Sequence, residues 1–76
     1  MNRPTLRDVL EARRTISPYV QPTPLTGYTA LNKVFDADVR LKHENHHPLG
    51  AFKVRGGVNL MAHLSPQQRQ RGVITA

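Results

Sequence analysis

"VRLKHENHHPLGAFKVRGG" (residues 39–57) contains an alternation, a loop and a helix start in direct succession. Val39-Arg40-Leu41-Lys42 alternates apolar and basic residues, which is the period of a strand. His43 to Gly50 is polar, with Pro48 and Gly50 as punctuation, so it reads as a loop. From Phe52 to Leu64 the apolar residues Val54, Val58, Leu60, Met61, Ala62 and Leu64 fall on most sides of a helix, which predicts a largely buried one. Ser65 and Pro66 then suit the N-cap and first position of a short helix, with Gln68 three residues after the cap and Gly72 as a stop. Val73-Ile74-Thr75-Ala76 is a β-branched run and reads as a buried strand. Strand, helix, strand is the order of a βαβ unit, so the expected class is α/β with an open twisted sheet flanked by helices. Two strands cannot complete such a sheet. Residues 1–76 are therefore expected to be an N-terminal fragment of a larger catalytic domain, with no domain boundary inside them.

Upstream, Thr5 suits an N-cap, and Asp8 three residues later completes a capping box. Leu6, Val9, Leu10 and Ile16 form an apolar stripe at helical spacing, with Ala12 beside it, and are expected to be core. Pro18 ends that helix near Ser17. Pro18, Pro22 and Pro24 make the next stretch a rigid, extended connector. Thr29 to Phe35 suits one or two helical turns, and Asp36-Ala37-Asp38 suits a turn.

Bulk composition narrows the function classes. Hydrophobic residues make up 38% of the chain, and Phe35, Phe52, Tyr19 and Tyr28 are the only aromatics, a thin core for an autonomous domain. There is no cysteine, which excludes disulfides and thiolate zinc sites and fits a reducing compartment. Eleven Lys and Arg stand against five Asp and Glu. Such a balance raises the alternative of a small basic, non-enzymatic protein that binds nucleic acid. The basic residues are scattered, however, in runs of no more than two and without interleaved aromatics, so no nucleic-acid partner is expected. No apolar stretch approaches the roughly 20 residues of a membrane span. The polar start MNRPTLRDVLEA has no secretory h-region, so the expected setting is cytoplasmic, with no membrane partner.

Lys53 is the candidate reactive group. It stands at the predicted start of a helix, where partial positive charge disfavours an ammonium. Ala51, Phe52 and Val54 around it are apolar, and burial among them would disfavour the charge further. A neutral amine is what a Schiff-base lysine needs. The ordinary reading is a lysine whose stem packs on apolar surface while its head reaches water. Gly56-Gly57 is compatible with close approach of a ligand or backbone, or simply with a helix that starts later, near Val58. His43, Glu44, His46 and His47 have the residue types of metal ligands, but Pro48 and the preceding strand pattern place them in a solvated loop, and no metal site is expected. Lys42 and Glu44 would share a strand face and form a local ion pair.

Taken together, these residues resemble a known family. Leu41, Lys42, Glu44, Gly50, Phe52, Lys53, Arg55 and Gly56 match, in order and spacing, the L-K-x-E and G-S-F-K-x-R-G-A segments of the fold-type II enzymes that use pyridoxal 5'-phosphate, most closely the serine/threonine dehydratases. Thr23-Pro24-Leu25 is similar to that family's T-P-L. Residues 72–76 are similar to the strand before its Gly-Asn-His loop. Two positions depart: Ala51 replaces a serine, and Gly57 replaces an alanine. The resemblance implies that Lys53 is the catalytic residue and binds the cofactor as its Schiff-base lysine, and that Phe52 is cofactor-binding, lying against the cofactor ring. It implies β-elimination of L-threonine or L-serine to a 2-oxo acid and ammonia, with a hydroxyectoine-pathway dehydratase as a related alternative. It further implies a small amino-acid substrate and a homo-oligomeric full-length protein. The family's phosphate-binding loop and substrate-carboxylate loop have no counterpart in residues 1–76, so the chain alone is expected to be inactive.

Overall fold

The computed structural model describes residues 2–75, which form two compact units. One comprises the chain up to Val20 together with the chain from Lys53 onward, and the other spans Gln21–Phe52.

In the first unit, helix α1 covers Leu6–Ile16. The capping box read from the sequence is present: the Asp8 amide donates to the Thr5 hydroxyl, and the Thr5 amide donates to Asp8 Oδ2 at 2.6 Å. Helix α3 covers Lys53–Ala62 and packs against α1. The short helix α4, Pro66–Arg71, has its own capping box between Ser65 and Gln68. It ends at Gly72, whose φ of 77° favours glycine.

The expected burial of these helices is not found. Ala12 and Ile16 on α1, and Val54 and Val58 on α3, are half-buried, whereas Leu6, Val9, Leu10, Leu60 and Met61 are exposed. Two packed helices cover only the stripe where they touch. An all-round apolar helix needs neighbours on its other sides.

The second unit holds the sheet. Strand β1 is Leu25–Gly27, helix α2 is Thr29–Phe35 and strand β2 is Arg40–Lys42. The strands pair antiparallel, Leu25 opposite Lys42 and Gly27 opposite Arg40. The extended connector thus contains a paired strand. Helix α2 ends at Asp36, in the left-handed region with φ 47°, where Asp and Asn are the best tolerated non-glycine residues. The Asn32 side chain closes the turn by accepting the Val39 amide at 2.7 Å.

The strand expected at the end of the chain does not form over residues 73–75, and Ala76 lies outside the described residues. Ile74 is 98% exposed. A β-branched run becomes a strand when a neighbour takes up its backbone hydrogen bonds. Among the described residues the sheet is two-stranded and antiparallel, too small to form by itself the open twisted sheet flanked by helices.

Candidate functional site

Thr23 is the one buried polar residue among those described. Its hydroxyl donates to the Glu44 carboxylate, and its carbonyl accepts from Lys42 Nζ. One residue on, the Pro24 carbonyl accepts the His43 amide at 2.9 Å. Residues 23–25 and 41–44 therefore meet across one antiparallel pair. Lys42 and Glu44, expected to pair locally, both engage Thr23. The sequence offered no signal for this, because hydrogen bonds spanning 19 and 21 positions leave no local pattern.

The histidines of the following loop make local contacts. The Tyr28 hydroxyl lies 2.7 Å from His43 Nε2, and the two rings meet edge-on. The His43 ring in turn stacks on His46, with centroids 4.4 Å apart and planes 10° from parallel. His47 Nδ1 accepts the Leu49 amide at 3.2 Å. Among the described residues no three His, Asp or Glu side chains gather to hold a metal.

The loop then reaches the candidate lysine. Tight turns close at His46, whose amide donates to the His43 carbonyl, and at Gly50, whose amide donates to the His47 carbonyl. Gly50 has φ 69°, a conformation that glycine enters freely. Lys53 is the first residue of α3, so the helix start lies where the sequence placed the lysine and not at Val58. The apolar enclosure expected around it is absent: Ala51, Phe52 and Lys53 are all exposed, Phe52 at 66%. The Lys53 side chain makes no hydrogen bond or ion pair among the described residues. A methyl group added at Gly56 or Gly57 would meet nothing within 4 Å, so that face of α3 is open.

Helices α3 and α4 also border an open pocket of about 530 Å³, lined by Tyr19, Val54, Val58, Met61, Ala62 and Arg69. Its lining is apolar apart from Arg69 and offers no acid–base pair. The Asp8 carboxyl is held below its usual range by the Thr5 backbone hydrogen bond first and the Thr5 side chain second. It serves the helix cap.

Comparison with known proteins bears on this arrangement. The family profile described as pyridoxal-phosphate dependent enzyme matches residues 16–76. An L-threonine ammonia-lyase of Thermotoga maritima is 43% identical over 95% of this chain and 18% of its own length. A serine racemase of Schizosaccharomyces pombe is 40% identical over 95% of the chain and 22% of its own length. An L-threo-3-hydroxyaspartate ammonia-lyase of Saccharomyces cerevisiae is 42% identical over 93% of the chain and 22% of its own length. The chain thus spans about a fifth of the length of these relatives. No solved structure matches it significantly.

The residues present fit one end of pyridoxal phosphate. Its aldehyde needs a primary amine that is accessible and not committed elsewhere, and Lys53 is both. Its electron-poor ring suits a flat apolar face, which Phe52 leaves uncovered.

Proposed function

The chain belongs to the pyridoxal-phosphate dependent enzymes of fold-type II, and from that premise we propose that it carries the cofactor lysine, Lys53, of a dehydratase. The proposed substrates are small β-hydroxy amino acids, L-threonine or L-serine, and the products are a 2-oxo acid and ammonia. The observation that carries this reading is the uncommitted, exposed Lys53 side chain at the start of α3, within the ordered sequence match from Thr23 to Ala76. The relatives' names support the substrate class: threonine, serine and 3-hydroxyaspartate all bear a hydroxyl on the β-carbon.

When bound, the cofactor supplies an aldehyde that bonds an amine and a ring that accepts charge from the substrate α-carbon. Lys53 Nζ would hold it. The same amine would serve as the base for the substrate α-proton, since a general base must lie within reach of the proton it removes. Phe52 would offer its flat apolar face to the cofactor ring. Thr23, Lys42 and Glu44 fix the strand end from which the loop to Phe52 departs.

Expression of the chain with everything its gene encodes, followed by assay of 2-oxo acid release, tests the proposal. Release from L-threonine or L-serine is expected, with Lys53→Ala lowering the rate by about 100- to 10,000-fold or more, the usual contribution of a positioned base. The 76-residue chain alone is expected to release none. Turnover that survives Lys53→Ala would sink the assignment.

A further inference from the structure

We propose that Thr23 is a positioning residue for the loop that leads to Lys53: its hydrogen bonds to Lys42 and Glu44 set the direction in which that loop leaves the sheet. The proposal rests on the reading of Lys53 as cofactor carrier.

The two bonds grip the chain on both sides of one residue. The Thr23 carbonyl accepts from Lys42, the last residue of β2, while its hydroxyl donates to Glu44, the second residue beyond the strand. Between them the His43 amide is held by the Pro24 carbonyl at 2.9 Å. Three consecutive residues are thus fixed against one short segment, and the chain can leave β2 in only one direction. From there the loop is a succession of tight turns, closed at His46 on His43 and at Gly50 on His47, at 3.1 and 3.0 Å. These turns begin at the residues that Thr23 and Pro24 hold, and Phe52 follows the last of them by two positions.

Burial sharpens the point. A buried hydroxyl is costly unless it is bonded, and valine fills nearly the same space with no such requirement. A threonine retained at 8% exposure, with its hydroxyl committed to a carboxylate 21 positions away, is used for its hydrogen bond. Packing alone would be served by valine.

The test combines Thr23→Val, Thr23→Ser and Lys42→Met in the full chain with two readouts. One is hydrogen exchange of the His43 amide. The other is the rate at which pyridoxal phosphate attaches to Lys53, trapped by borohydride and located by peptide mass. Thr23→Val is expected to speed His43 exchange and slow attachment at Lys53, each by about tenfold or more, the size of a lost charge-assisted hydrogen bond. Thr23→Ser keeps the hydroxyl and should restore both. Lys42→Met removes only the bond to the carbonyl and should give intermediate values, which also decides the matter should Thr23→Val fail to fold.

Faster exchange with unchanged attachment would overturn the positioning role and leave Thr23 a purely structural tie. Unchanged exchange in Thr23→Val would overturn the tie itself. A chain with unaltered Thr23 that fails to load Lys53 would overturn the cofactor reading, and with it the loading half of the proposal, while the exchange readout would still judge the tie.

Discussion

Gly50 sits where the loop makes its last tight turn before Phe52, with φ at 69°. Space is not the constraint, since an added methyl would touch nothing within 4 Å. The backbone is. A side chain in the left-handed region costs about 1–2 kcal/mol. Gly50→Ala should therefore speed exchange of the amide at position 50, now bonded to the His47 carbonyl at 3.0 Å, by roughly 5- to 30-fold. Unchanged exchange would mean that the turn carries no such strain. At this scale the sequence is informative about residue types and poor about their partners. Lys53 and Gly50 stand out in "HHPLGAFKVRGG" because a helix start and a glycine turn are local events. Thr23 stands out in the sequence only as part of Thr23-Pro24-Leu25, and its bonds to Lys42 and Glu44 join residues that only the fold brings near. The loop histidines have the residue types of ligands, while the His43 ring meets Tyr28 edge-on and stacks on His46.

Among the elements, the capped helices were the most legible. Thr5 with Asp8, and Ser65 with Pro66 and Gln68, are local signals, and both helices begin where those residues place them. The α1 cap also has a pH dependence of known sign. The Asp8 carboxyl accepts the Thr5 amide and hydroxyl, and these bonds hold its pKa below the ordinary value of 3.8. A carboxyl with a depressed folded-state pKa adds stability above its unfolded pKa, and that stability is lost as pH falls through the folded value. Helix content measured by circular dichroism should thus decline as pH falls below about 4. Asp8→Asn should lower helix content at neutral pH and flatten that decline. An identical acid profile in Asp8→Asn would assign it to other groups. Strands were less legible than helices because pairing is non-local. Leu25–Gly27 became a strand through β2, and residues 73–75 form no strand despite their β-branched side chains.

Across the whole molecule, the apolar residues outnumber the contacts available to them. Val20 is the one buried apolar side chain among the described residues, while Leu6, Phe35, Phe52 and Ile74 are each more than 60% exposed. A hydrophobic stripe predicts a covered face, and on α1 and α3 that burial is not found: both helices keep most of their apolar residues exposed. What covers it is a question of neighbours, and about four-fifths of the length of the matched relatives lies outside the region they share with this chain. The α/β class followed from the order of elements and agrees with the family, whereas the arrangement of an open sheet requires more strands than the two found here. Among the described residues no helix is long and apolar enough to cross a membrane.

The central claim is that Lys53 carries pyridoxal phosphate, and Lys33 and Lys42 provide internal controls for it. The chain is incubated with the cofactor, reduced with borohydride, digested, and its lysine peptides are weighed. The account predicts cofactor mass on the Lys53 peptide far above that on Lys33 or Lys42, and its disappearance in Lys53→Ala. Equal labelling of all three lysines, or labelling unchanged in Lys53→Ala, would contradict it.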